Sequence, residues 1–156
     1  MELETWDAPL ADGPIPNHPR FSMLIYHGVA VGEIERVLAE HGWGGAWTNG
    51  VFDFHHFHST SHEVLAVVSG SATLELGGPQ GAAFAVTRGD VLVLPAGTGH
   101  RRAAARDGFT VVGAYPAGQE RYDILRDADE AARERIRAVP LPDRDPVGGD
   151  GIGRWS

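Results

Sequence analysis

A chain of 156 residues is long enough for one domain with a real core, and its net charge of −8, with a pI near 5.4, offers no basic footprint for phosphate backbones or anionic lipid. The absence of cysteine excludes disulfide frameworks, thiolate nucleophiles, zinc fingers and iron–sulfur ligation. All thirteen basic residues are arginine, so Schiff-base chemistry and covalent pyridoxal phosphate have no lysine to use.

The segment Met1-Glu2-Leu3-Glu4-Thr5-Trp6-Asp7 is acidic and lacks the apolar run of a signal peptide, and no stretch reads as a membrane span. The cytoplasm is the expected compartment. Residues 1–20 contain Pro9, Pro14, Pro16 and Pro19, which exclude helix and central strand and predict an extended arm. Phe21 to Tyr26 reads as a short strand. Between Val31 and His41 the apolar residues Val31, Ile34, Val37 and Leu38 recur at helical spacing, and Gly42 supplies the stop. The period then changes to two, with strands expected near 46–48, 51–58, 63–68, 71–76, 83–87, 91–94, 100–104 and 109–115. Breaks such as Ser69-Gly70, Gly77-Gly78-Pro79-Gln80-Gly81 and Pro95-Ala96-Gly97-Thr98-Gly99 separate them. Short strands with glycine-rich turns predict an all-β domain, a closed or sandwiched antiparallel barrel. A second helix is expected over 127–139, with acidic residues in its first turn and arginines in its second half, and a turn-rich strap follows. The expected organisation is an arm over 1–20 and a single domain over 21–156, with the barrel core at about 46–115.

Chemistry concentrates in Phe54-His55-His56-Phe57-His58-Ser59-Thr60-Ser61-His62-Glu63, which holds four of the eight histidines. Imidazole and carboxylate are the ligands a first-row divalent metal takes where cysteine is absent. On a strand, His56 and His58 project to one face while His55 and Phe57 project to the other. Glu63 opens the next strand, and His100, at a strand start after a tight turn, is the natural candidate for a fourth ligand.

The spacing Gly50-x5-His56-x-His58-x4-Glu63-x6-Gly70 resembles the first signature of the cupin superfamily at every position. Gly89-x5-Pro95-x-Gly97-x2-His100 resembles the second. The family pattern continues with asparagine where this chain has Ala104, outside the ligand set. The wording around His56 to Leu65, Leu94 to His100 and Val112 to Pro116 is similar to the small bacterial YjlB-type cupins. The resemblance implies a cupin jelly-roll barrel in which His56, His58, Glu63 and His100 hold one divalent metal of the iron, manganese, nickel or zinc type.

The remaining candidates keep two readings each. Phe52 and Phe54 share a face with His56 and either wall a pocket or belong to plain core. Arg102 shares a face with His100 and is either a clamp for a substrate carboxylate or turned to solvent by a bulge. His62 is either a hydrogen-bond partner of the site, with acid/base potential, or a solvated turn histidine. Three histidines and a carboxylate leave an ion open positions for a small organic substrate. Metal-dependent dioxygenase is the first expectation, isomerase or hydrolase the second, and a non-catalytic small-molecule-binding cupin the third. A homodimer is the expected assembly, with neither nucleic acid nor membrane as partner.

Overall fold

The runs Met23–Tyr26, Val64–Val67 and Val91–Leu94 show no polar alternation because they are buried on both faces. The computed structural model describes residues 1–10 and 13–155; Ala11 and Asp12 of the expected arm, and Ser156 of the strap, lie outside them. The strands are β1 (Glu2–Trp6), β2 (Met23–His27), β3 (Trp43–Asn49), β4 (Glu63–Leu76), β5 (Ala82–Thr87), β6 (Val91–Leu94) and β7 (His100–Pro116). Helices α1 (Ile34–Glu40) and α2 (Glu130–Ala138) flank them, and a 3-10 turn spans Ile152–Trp155. All strand pairing is antiparallel, in the order β1-β2-β6-β4-β7-β3, with β5 added to β4.

Strands β4 and β7 set the topology. The first half of β4 lies between β6 and β7, and its second half between β5 and β7, so the sheet folds over on itself into a jelly-roll barrel. The sequence predicts two strands in each of these stretches. Instead, Ser69-Gly70 and Asp107-Gly108 are bends within continuous strands, marked by register shifts between Val67, Ser69 and Ser71. Gly70 takes φ +69°, and a Cβ there would lie 2.6 Å from the Arg106 carbonyl oxygen.

Strand parity divides the core. Leu24, Tyr26, Val64, Ala66, Val91 and Val93 face outward, where Ile34 and Leu38 of α1, together with Trp43 and Trp155, cover them. Met23, Ile25, Leu65, Val67, Leu92 and Leu94 face the other way, into the barrel. Glu63 shares parity with Leu65 and Val67, so its carboxylate enters the barrel. His62 takes the opposite side.

Both predicted helices exist, shorter than expected. The side chain of Asp129 caps α2 by accepting from the Ala132 N–H at 2.8 Å, while Ala132 and Ile136 are buried. The expected strand at 51–58 is reduced to two bridges, His56 with His100 and Phe57 with Leu125. Within the expected arm, residues before the first proline form edge strand β1 against β2.

Candidate metal centre

The pairing of His56 with His100 fixes the centre of the site. Their backbones exchange two hydrogen bonds of 3.2 and 3.0 Å, which sets both imidazoles side by side with ring centroids 4.0 Å apart. His58 lies two residues on, on the same face. One ligand nitrogen from each of His56, His58 and His100 lies within 4.8 Å of the others, so this buried cluster is able to hold a metal ion.

The rings are oriented from behind. Each Nδ1 donates to a backbone carbonyl, His56 to Phe54 at 3.0 Å, His100 to Thr98 at 3.0 Å and His58 to Asp123. In the neutral rings this leaves Nε2 as a lone pair facing its neighbours. Glu63 Oε1 completes the arrangement, 3.3 Å from His58 Nε2 and 3.2 Å from His100 Nε2. Its other oxygen accepts from the Tyr115 hydroxyl at 2.8 Å, and that hydroxyl accepts from Trp47 Nε1 at 2.7 Å. The Trp47 to Tyr115 to Glu63 relay therefore holds the carboxylate with one oxygen free for the histidines.

This geometry is a direct test of metal fit. Glu63 Oε1 is buried without a hydrogen-bond partner, and it faces nitrogens whose ring protons are already given to carbonyls. Only an added ring proton or a cation can sit between such acceptors, and the donor set suits a divalent transition metal. Without an ion, the groups of the cluster set one another's charge. Burial, with His100 and His58 alongside, pushes His56 down to about 3, in its neutral form. Burial pushes the Glu63 carboxyl up, and the His58 and His100 imidazoles more than reverse that, holding it below the usual carboxylate range. Burial lowers His58, and the Glu63 carboxylate reverses this to a net rise.

The site opens into a cavity of about 280 Å³ that His56, His58, Glu63 and His100 line with Phe52 and Tyr115. Phe52 is half exposed at its edge, stacked on Phe54 at 4.8 Å and set edge-on to His56 at 5.2 Å. Phe54 backs Phe52 and His56 without lining the cavity, and the Arg126 guanidinium covers its ring at 4.2 Å.

Two expected candidates lie elsewhere. The Arg102 side chain reaches toward Asp53, 4.0 Å away, and does not line the cavity, so the carboxylate clamp is not formed. His62 is neither solvated nor in the cavity. It is fully buried on the outward side, where Nδ1 accepts from the Ala96 N–H at 2.9 Å and the ring lies 5.0 Å from Trp155. Parity with Glu63 explains both its burial and its distance from the chemistry. His55, on the opposite face to His56, sits 3.6 Å from Glu75.

Sequence reading missed Trp47, Tyr115, Tyr122 and Asp123. Tyr122 stacks on Tyr115 at 4.2 Å and meets His58 edge-on at 5.0 Å. The Asp123 carboxylate accepts from the Ser59 N–H at 2.6 Å and from the Ser59 hydroxyl, fastening the loop that supports His58. Only proximity in the fold, more than 60 residues apart in the chain, links Asp123 to His58 and Ser59.

The chain has relatives among known proteins. A cupin-domain family model matches residues 46–112. Uncharacterized protein YjlB from Bacillus subtilis (strain 168) is 40% identical over 153 residues, covering 95% of this chain and 92% of that protein. Among solved structures, acireductone dioxygenase from Bacillus anthracis with a cadmium ion in its active center aligns with a TM-score of 0.41 and 22% identity. That alignment covers 56% of this chain and 59% of that chain's length. A cupin-like protein from Thermotoga maritima aligns at 0.40 and 13% identity, covering 85% of this chain and 94% of that one.

Proposed function

We propose that this chain, which belongs to the cupin family, is a metal-dependent enzyme of dioxygenase type acting on a small organic molecule. The observation that carries the metal-dependent part of this reading is the buried Glu63 Oε1, left without a hydrogen-bond partner among the histidine lone pairs. His56, His58, His100 and Glu63 would hold the ion. When bound, a divalent ion supplies Lewis acidity and, if it is iron or manganese, one-electron chemistry with dioxygen.

The chain's own residues do the rest. The Tyr115 hydroxyl fixes the carboxylate, and the backbone carbonyls of Phe54, Thr98 and Asp123 fix the rings. Tyr122 and Ile124 bring the loop after β7 onto the cavity, where their side chains shield one flank from water. The Tyr122 phenol places a second hydroxyl-bearing ring beside His58, within reach of a ligand in the cavity.

The test is oxygen uptake. Protein loaded with iron, manganese or zinc is offered panels of small diols, thiols and diketones in an oxygen electrode. Uptake with iron or manganese, absent with zinc and lost in His58→Ala, is the expected result. Bound metal with no uptake on any class would replace the dioxygenase reading with isomerase, hydrolase or non-catalytic binding chemistry, to be separated by following substrate and product.

A further inference from the structure

The walls of the cavity restrict what can enter it. Its histidine–glutamate end is polar, while Trp47, Val51, Phe52, Leu65 and Ile124 make much of the remainder apolar. No arginine lines it, and the chain has no lysine. Three arginines of flanking segments are directed to other groups. Arg102 reaches toward Asp53 at 4.0 Å, and Arg101 donates to Glu75 at 2.9 Å and to the Asp53 carbonyl at 3.0 Å. Arg126 covers the Phe54 ring.

Charge can then be counted. Among the described residues Glu63 is the only carboxylate lining the cavity, so a divalent ion held there leaves one net positive charge. That matches one negative charge on the atoms of a ligand that approach the ion. A second anionic group further out would meet no cation, only apolar wall and the neutral Thr48, Asn49 and Tyr122, losing hydration without a charged partner. Aromatic faces favour a flat body, and about 280 Å³ is at the small end of ligand cavities.

We infer that the cavity selects a small, flat, otherwise uncharged molecule that carries at most one negative charge, placed at the histidine–glutamate end. Ligands of the aromatic diol or enol class fit; ligands with a peripheral carboxylate or phosphate do not. The inference rests on the reading that this end holds a divalent ion, and it replaces the expected carboxylate clamp at Arg102.

The test compares probes with the same chelating head. Zinc stoichiometry is measured first, and zinc-loaded protein is then titrated with catechol and with 3,4-dihydroxybenzoate while the backbone amide signals of Gly50, Val51 and Ile124 are followed by NMR. Catechol is expected to shift these signals and bind at least ten-fold more tightly than its carboxylated analogue. Ile124→Arg, which brings a cation to the cavity, is expected to narrow that ratio. Equal or tighter binding of 3,4-dihydroxybenzoate, loss of its binding in Arg102→Ala, or no shift at these residues with either probe overturns the inference. If zinc does not bind, the metal reading fails by itself, and phenol against 4-hydroxybenzoate on the metal-free protein decides the ligand class. Preference for phenol supports it, and the opposite preference, or binding of neither, overturns it.

Discussion

Tyr115 is the residue through which the site is most finely set. Its hydroxyl accepts from Trp47 and donates to Glu63, so one side chain both anchors a carboxylate oxygen and directs the other toward the histidines. Burial and the Glu63 carboxylate raise its pKa, which keeps the phenol protonated and donating. Tyr115→Phe removes the donor while preserving the ring, and is expected to weaken zinc affinity about 10- to 100-fold in a chelator competition. Unchanged affinity would show that Glu63 needs no such support. The clustered histidines His56, His58 and His100 and the carboxylate of Glu63 were legible in the sequence because strand parity and motif spacing both place them. Tyr115 and Trp47 were not, because their link to Glu63 exists only across β4, β7 and β3. Arg102 misled because sharing parity with His100 fixes the face a side chain leaves from, not where a long flexible chain ends. His62 was readable by the same parity, since the residue just before Glu63 points away from the barrel interior.

At the scale of elements, β4 and β7 carry the fold and the site together. Their long pairing sets His100 opposite Leu76 at one end and Ala114 against Val64 at the other, so the strands must fold back on themselves for His100 to meet Glu63 and Tyr115. The bend at Gly70 makes this possible, and it requires a backbone that an L side chain rarely adopts. Gly70→Ala is expected to cost about 1–3 kcal/mol or more in urea unfolding, with the denaturant slope unchanged. A cost near zero would mean that the bend relaxes freely. The sequence marked Ser69-Gly70 and Asp107-Gly108 as breaks, and glycine there does signal unusual backbone. Whether such a break reverses a chain or merely bends a strand depends on partner strands, which periodicity does not reveal. The same limit explains 51–58, whose alternating pattern matches a strand although only His56 and Phe57 form β-bridges there.

For the whole molecule, histidines couple folding to pH. Burial first, with Arg20 adding, pushes His18 down to about 4; burial first, with His18 adding, pushes His62 down to about 3. In the unfolded chain both titrate near 6.5, so the unfolded state binds more protons between that value and about 3–4. Their effect is that stability is retained above pH ~6.5 and lost as pH falls toward 4 and 3. His27 acts with the opposite sign, because Glu4 and Asp90 raise it, and it is partly exposed. His62→Gln is therefore expected to make the unfolding free energy less steep between pH 7 and 4 than in the parent chain; an identical slope would assign that dependence to other groups. Among the described residues no helix is long and apolar enough to cross a membrane. Direct metal titration tests whether the histidine–glutamate cluster holds an ion. Protein purified without a metal-affinity step, stripped by chelator and titrated with zinc or manganese is predicted to bind one ion per chain. His58→Ala is predicted to lose that binding while circular dichroism still reports a β-rich fold. An unmutated chain that takes up no ion, or a His58→Ala variant that binds as the parent does, would contradict the account.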